Sequence, residues 1–109
     1  MITQRALLAE QLLLIEGELR QLGWWAATPP SAQALASQQP FAVDSMAFEQ
    51  WLQWLFLPRM QQILAGGEQL PSSCGIQPMA EMVLVDRASQ ARALLVLLGE
   101  FDRLIAGAA

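Results

Sequence analysis

Leu8, Leu12, Ile15, Leu19 and Leu22 recur at steps of 4, 3, 4 and 3, the spacing of one face of an α-helix. Gln4, Gln11 and Glu18 fall seven apart on the other side, and Leu7, Leu13 and Leu14 widen the apolar stripe beyond a coiled-coil seam. The pattern predicts a helix over about 3–22 that packs against two neighbours, with Thr3 as its N-cap and Gly23 just past its end. Trp24 and Trp25 follow, and the Pro29-Pro30 pair stops any helix. Ser31 can cap a short helix over about 31–36. Gln38-Gln39-Pro40-Phe41 is expected to be extended, because the residue before a proline disfavours the α region. The connection over 23–43 is long for a compact domain. Its two Trp and one Phe predict that it lies against the bundle.

A second long helix is predicted over about 45–65, with Asp44 or Ser45 as its cap and Gly66-Gly67 at its end. Phe48, Leu52, Leu55, Phe56, Met60 and Ile63 form its main apolar face, with Glu49, Gln50, Gln53 and Gln61 mostly opposite. Pro58 sits well inside this pattern. It deletes a backbone hydrogen bond and its ring meets the carbonyl of Trp54, so a kink is expected there. After a loop at 70–75, Pro78 opens a short helix over about 78–85, which Asp86 breaks. Ala91, Leu94, Leu98, Phe101 and Ile105 then mark a third long helix over about 87–106. No strand of convincing length appears. The reading is an all-α bundle of three long helices and one or two short ones, in a single domain over 1–109.

One feature of this pattern points outward. Stepping 100° per residue from Leu52 places Trp54 and Leu57 beside Gln50 and Gln61, on the polar side of the second helix. Either that helix is buried all round, or these two residues meet a partner, which a second copy of the chain could supply. Alternatively, the kink rotates the frame and the 23–43 connection covers Trp54. Phe41, Trp51, Trp54, Leu57 and Pro58 are therefore the candidate partner-binding residues, because exposed apolar patches and Trp mark interaction surfaces. Arg59 falls close to the apolar face, where it should bond carbonyls freed by the kink or a carboxylate. Asp44 and Glu81 are the candidates for a polar cluster with it.

Composition narrows the chemistry. There are 109 residues, 54% of them hydrophobic and 15% charged, which excludes intrinsic disorder. Ten acidic and six basic residues give a net charge of −4. The scattered arginines do not form the basic patch that nucleic acid requires. His, Lys and Tyr are absent, which removes His-based triads, Schiff-base chemistry and the commonest metal ligand. No glycine-rich phosphate loop is present, and no cofactor or metal is expected. The lone Cys74 makes no internal disulfide, and no secretory or membrane-spanning segment is visible, so the expected location is the cytoplasm. A carboxylate enzyme built on Asp44, Glu49 or Glu81 remains as an alternative. So does an apolar-ligand pocket lined by Met46, Met60, Met79 and Met82.

Gln39-Pro40-Phe41, Asp44-Ser45-Met46, Phe48, Trp51-Leu52-Gln53-Trp54 and Pro58-Arg59-Met60 together resemble the signature of the YqcC-like proteins. Leu70-Pro71, Pro78 and Glu81-Met82 extend the resemblance over nearly the whole chain. The resemblance implies a small all-α bundle in bacteria. It also implies a gene neighbourhood that often includes tRNA pseudouridine synthase C, and so an accessory, non-catalytic role with that synthase as a protein partner.

Overall fold

The computed structural model describes residues 3–36, 46–71 and 75–107. Helix α1 (Gln4–Gln21) begins where Thr3 accepts a hydrogen bond from the Ala6 amide at 3.1 Å. It ends in a Schellman closure, with Gly23 N–H donating to Arg20 and Trp24 N–H to Leu19. That closure needs a left-handed residue, and Gly23 supplies it at φ 77°. Helix α2 (Ala32–Leu35) is the predicted short turn, capped by Ser31.

The second long helix is continuous but not uniform. It comprises α3 (Phe48–Trp51), a π-helical turn (Leu52–Phe56) and α4 (Leu57–Gly66). It starts at Phe48, three residues after the predicted boundary, where the Gln50 side chain accepts from the Ala47 amide. Asp44 and Ser45 lie outside the described residues. The disturbance expected at Pro58 takes the form of a widened turn just before it, which accommodates the proline. The Leu57 amide reaches back to Leu52, and Pro58 becomes the second residue of α4, where no N–H is required.

Helix α5 (Ile76–Val83), a 3₁₀ turn (Val85–Arg87) and α6 (Arg92–Ala106) complete the chain. Pro78 is the third residue of α5, not the first, because Asp102 of α6 caps that helix from across the bundle. Its two carboxylate oxygens accept from the Ile76 and Gln77 amides at 3.1 and 2.8 Å. Helix α6 starts five residues later than its periodicity suggests. The 3₁₀ turn takes Arg87 out of the helix and sends it to Glu49.

Helix α1 packs on both α6 and α4, as its wide stripe requires. The glutamines set its register against α6. Gln4 donates to the Leu104 carbonyl at 2.7 Å and Gln11 to the Leu97 carbonyl at 2.8 Å, seven residues apart on both antiparallel helices. Gln11 is thus buried at the helix contact and not on the wet side. On the other flank, Arg5 donates to the carbonyls of Ile63 and Glu68 and so closes the C-terminus of α4. Phe101, Leu8, Leu12, Ile15, Leu52, Leu94, Leu98 and Ile105 fill the shared core. Gly99 lets α5 come close. A Cβ there would collide with the side-chain amide of Gln77, whose Nε2 donates to the Leu95 carbonyl.

Candidate partner-binding surface

The π-helical turn decides where the candidate residues point. In an α-helix Leu57 would stand 140° from Leu52. In a π turn each residue advances by roughly 80°, so Leu57 returns to about 40° from Leu52. It is accordingly buried, at 2% exposure, and leaves the candidate surface. Gln53, expected on the polar side, is buried for a different reason: one residue from Leu52 it stands about 80–100° away in either geometry, and the connection covers it. Gln53 is 5% exposed and forks onto the backbone of Ala26. Its Oε1 accepts from the Ala26 amide at 2.8 Å, and its Nε2 donates to the Ala26 carbonyl at 2.7 Å. This single side chain pins the start of the long connection to the second helix.

Trp51 is half-buried in a run of rings: stacked on Phe48 at 5.8 Å and on Phe56 at 5.4 Å, with Phe56 edge-on to Phe101 at 5.0 Å. It works mainly as packing. Trp54 is also half-buried, but its indole N–H is buried and has no acceptor among the described residues. Such an orphan donor costs about 1–3 kcal/mol in the isolated chain. Pro58, one turn further along, is exposed. Phe41 lies outside the described residues.

Among the described residues, Arg59 pairs with a carboxylate other than Glu81. Its side chain is exposed and lies 3.9 Å from Glu68, because α4 ends beside it and brings that carboxylate back. Glu81 is exposed on α5, and Asp44 lies outside the described residues. A separate cluster forms as well. Arg87 meets Glu49 with its two terminal guanidinium nitrogens, at 3.0 and 3.3 Å, and stacks 4.4 Å above the Trp24 ring. Arg20 stacks on Trp25 in the same way. These two contacts and the Gln53 fork hold the aromatic start of the connection on the bundle, as its composition predicted. The Glu49–Arg87 contact had no signal in the sequence, because it joins residues 38 apart through a turn that the helical period did not anticipate.

Met46, Phe48, Glu49, Met79, Val83 and Arg87 line a cleft of about 250 Å³. Two of the four methionines proposed for an apolar pocket therefore meet, while Met60 is buried in the core and Met82 is 72% exposed elsewhere. The volume falls below the roughly 300–1,000 Å³ of clefts that enclose drug-sized ligands. Among the described residues no group of His, Cys, Asp or Glu could hold a metal ion. Cys74 lies outside them. No helix among the described residues is long and apolar enough to cross a membrane.

The fold and this surface define a small all-α bundle whose most distinctive motif, Trp51 to Met60, builds a π-turn. The chain belongs to the YqcC-like family. The family model described as DUF446: tRNA pseudouridine synthase C matches residues 7–104. "Uncharacterized protein YqcC" of Escherichia coli is 34% identical over 96 residues, 88% of each chain. The solution NMR structure of YqcC from E. coli matches with a TM-score of 0.88 and 32% identity, covering 99% of this chain and 92% of that one. An uncharacterized protein of Haemophilus influenzae is 46% identical over 63 residues, 58% of this chain and 59% of its own. A protein of Pectobacterium carotovorum named tRNA pseudouridine synthase C is 44% identical over 64 residues, 59% of this chain. The match takes up only 17% of that protein's length.

Proposed function

We propose that the chain is a non-catalytic helical interaction module that serves as an accessory to a tRNA pseudouridine synthase. The observation that carries this reading is the Pectobacterium protein. It bears the synthase name and matches this chain over 17% of its own length, so a segment like this one sits inside a much longer polypeptide. An RNA-modifying enzyme must present a basic surface to phosphates, and an acidic chain of net charge −4 suits that enzyme better than its RNA. Trp54 and Pro58, with Phe41 and the edge of Trp51, form the contact surface in this reading. The indole N–H of Trp54, which has no acceptor among the described residues, supports the choice, because an association that rearranges this surface can supply one.

The test is isothermal titration of the purified chain with tRNA pseudouridine synthase C from its own host, using the wild type and Trp54→Phe. Trp54→Phe keeps one aromatic ring and removes the orphan donor together with the five-membered ring that carries it. The relieved donor and the lost ring packing offset each other, so the chain's own stability should stay within about 1 kcal/mol while the complex weakens roughly tenfold. No heat of binding with the wild type at about 0.1 mM sinks the accessory role. Equal binding by both proteins moves the contact away from Trp54.

A further inference from the structure

The side of the bundle formed by α5 and α6 carries a groove of about 510 Å³ whose lining includes Glu81, Val85, Ala88, Arg92 and Val96. Val85 and Val96 are 66% and 63% exposed, and Met82, next to Glu81 in the sequence, is 72% exposed. Apolar side chains held this far into water mark contact surfaces. The groove also carries two charges of opposite sign. Among the described residues, neither Glu81 nor Arg92 has an ion-pair or hydrogen-bond partner, whereas Arg20, Arg59, Arg87 and Arg103 each have a carboxylate.

Register places these charges opposite each other. Asp102 caps the first residues of α5 and the Gln77 side-chain amide reaches back along α6, past Gly99, to the Leu95 carbonyl, as expected for α5 antiparallel to α6. One turn on from Gln77 along α5 is Glu81, and one turn back from Leu95 along α6 is the level of Arg92. The acid therefore stands on one wall of the groove and the base on the other, at about the same height.

We infer that this groove is the interface of a homodimer, its occupant a second copy of the chain. A twofold axis along the groove lays α5 of each copy over α6 of the other. Glu81 then meets Arg92 of the second copy, and Arg92 meets Glu81 of the second copy, because an isologous interface repeats each contact. Val85, Ala88 and Val96 supply the apolar floor between the two ion pairs. A partner of one charge sign could satisfy only one wall, while the chain itself satisfies both. This dimer is independent of the synthase reading, and it uses a different surface from Trp54.

Sedimentation velocity on the full chain tests it, with Glu81→Arg, Arg92→Glu and the double exchange. All three are exposed substitutions, so circular dichroism should show unchanged helix content. The wild type should sediment at twice 12.0 kDa, and each single reversal should raise the dissociation constant about tenfold or more, since it creates two like-charge contacts. The double exchange should restore association to within about threefold of the wild type. A wild type that stays at 12.0 kDa up to about 0.5 mM overturns the inference. A dimer indifferent to both reversals, or one that the double exchange fails to rescue, overturns it equally.

Discussion

Replacing Gln53 by Met tests the positioning of the whole aromatic connection, because the two side chains have nearly the same length and shape. Gln53 makes two hydrogen bonds to one residue, Ala26, from a site that is 5% exposed. Methionine fills the space but offers neither donor nor acceptor. Each lost bond removes about 1 kcal/mol of net stability, and the Ala26 amide and carbonyl are then left without their partner. Ala26 is half-buried, so water can reach it only in part, and the total comes to about 2–3 kcal/mol. At roughly 2.1 cal/mol/K of unfolding entropy per residue, a chain of 109 residues should lose about 10 °C in Tm. Urea denaturation gives the free energy, and hydrogen exchange locates it. Amides of residues 24–36 should lose protection well beyond the global change, while those of α1 and α6 fall only with it. A loss under about 0.5 kcal/mol would show that the fork contributes no net stability. A large loss with protection at 24–36 unchanged relative to the rest would show that Gln53 stabilises the helix and does not anchor the connection.

Two further predictions concern α5 and α1. Asp102→Ala removes the carboxylate that caps α5 from α6 and should cost about 2 kcal/mol by urea denaturation, near the top of the range for helix caps, because both bonds are charge-assisted. Asp102→Asn should recover about half of that, since its amide nitrogen cannot accept from the second N–H. Gly17→Ala acts in the opposite direction. Gly17 is exposed in the middle of α1 with no atom within 4 Å of a new Cβ, so the substitution should stabilise the chain by about 0.5–1 kcal/mol in the same assay.

How much of this molecule can be read from its sequence depends on whether a residue's face follows from local periodicity. Where it does, as in α1 with its Thr3 cap and Gly23 closure, boundaries fall within one residue of the structure. Leu57 shows where the rule ends. A constant advance of 100° per residue is the assumption behind every face assignment, and Pro58 invalidates it five residues upstream by favouring a π-turn. The proline signals a disturbance, and the widened turn before it brings Leu57 into the core. The glutamines teach the same lesson on α1. Gln4 and Gln11 are seven apart like any wet-face pair, and nothing local shows that the opposite helix presents carbonyls at that same interval. Polar residues at heptad spacing in an otherwise apolar helix can thus be register keys between helices as readily as solvent contacts. The candidate surface shifts accordingly. Trp54 stays on it because two residues of advance place it opposite the core under either helix geometry, about 200° or about 160° from Leu52. Leu57, five residues on, accumulates enough of the difference to cross to the inside.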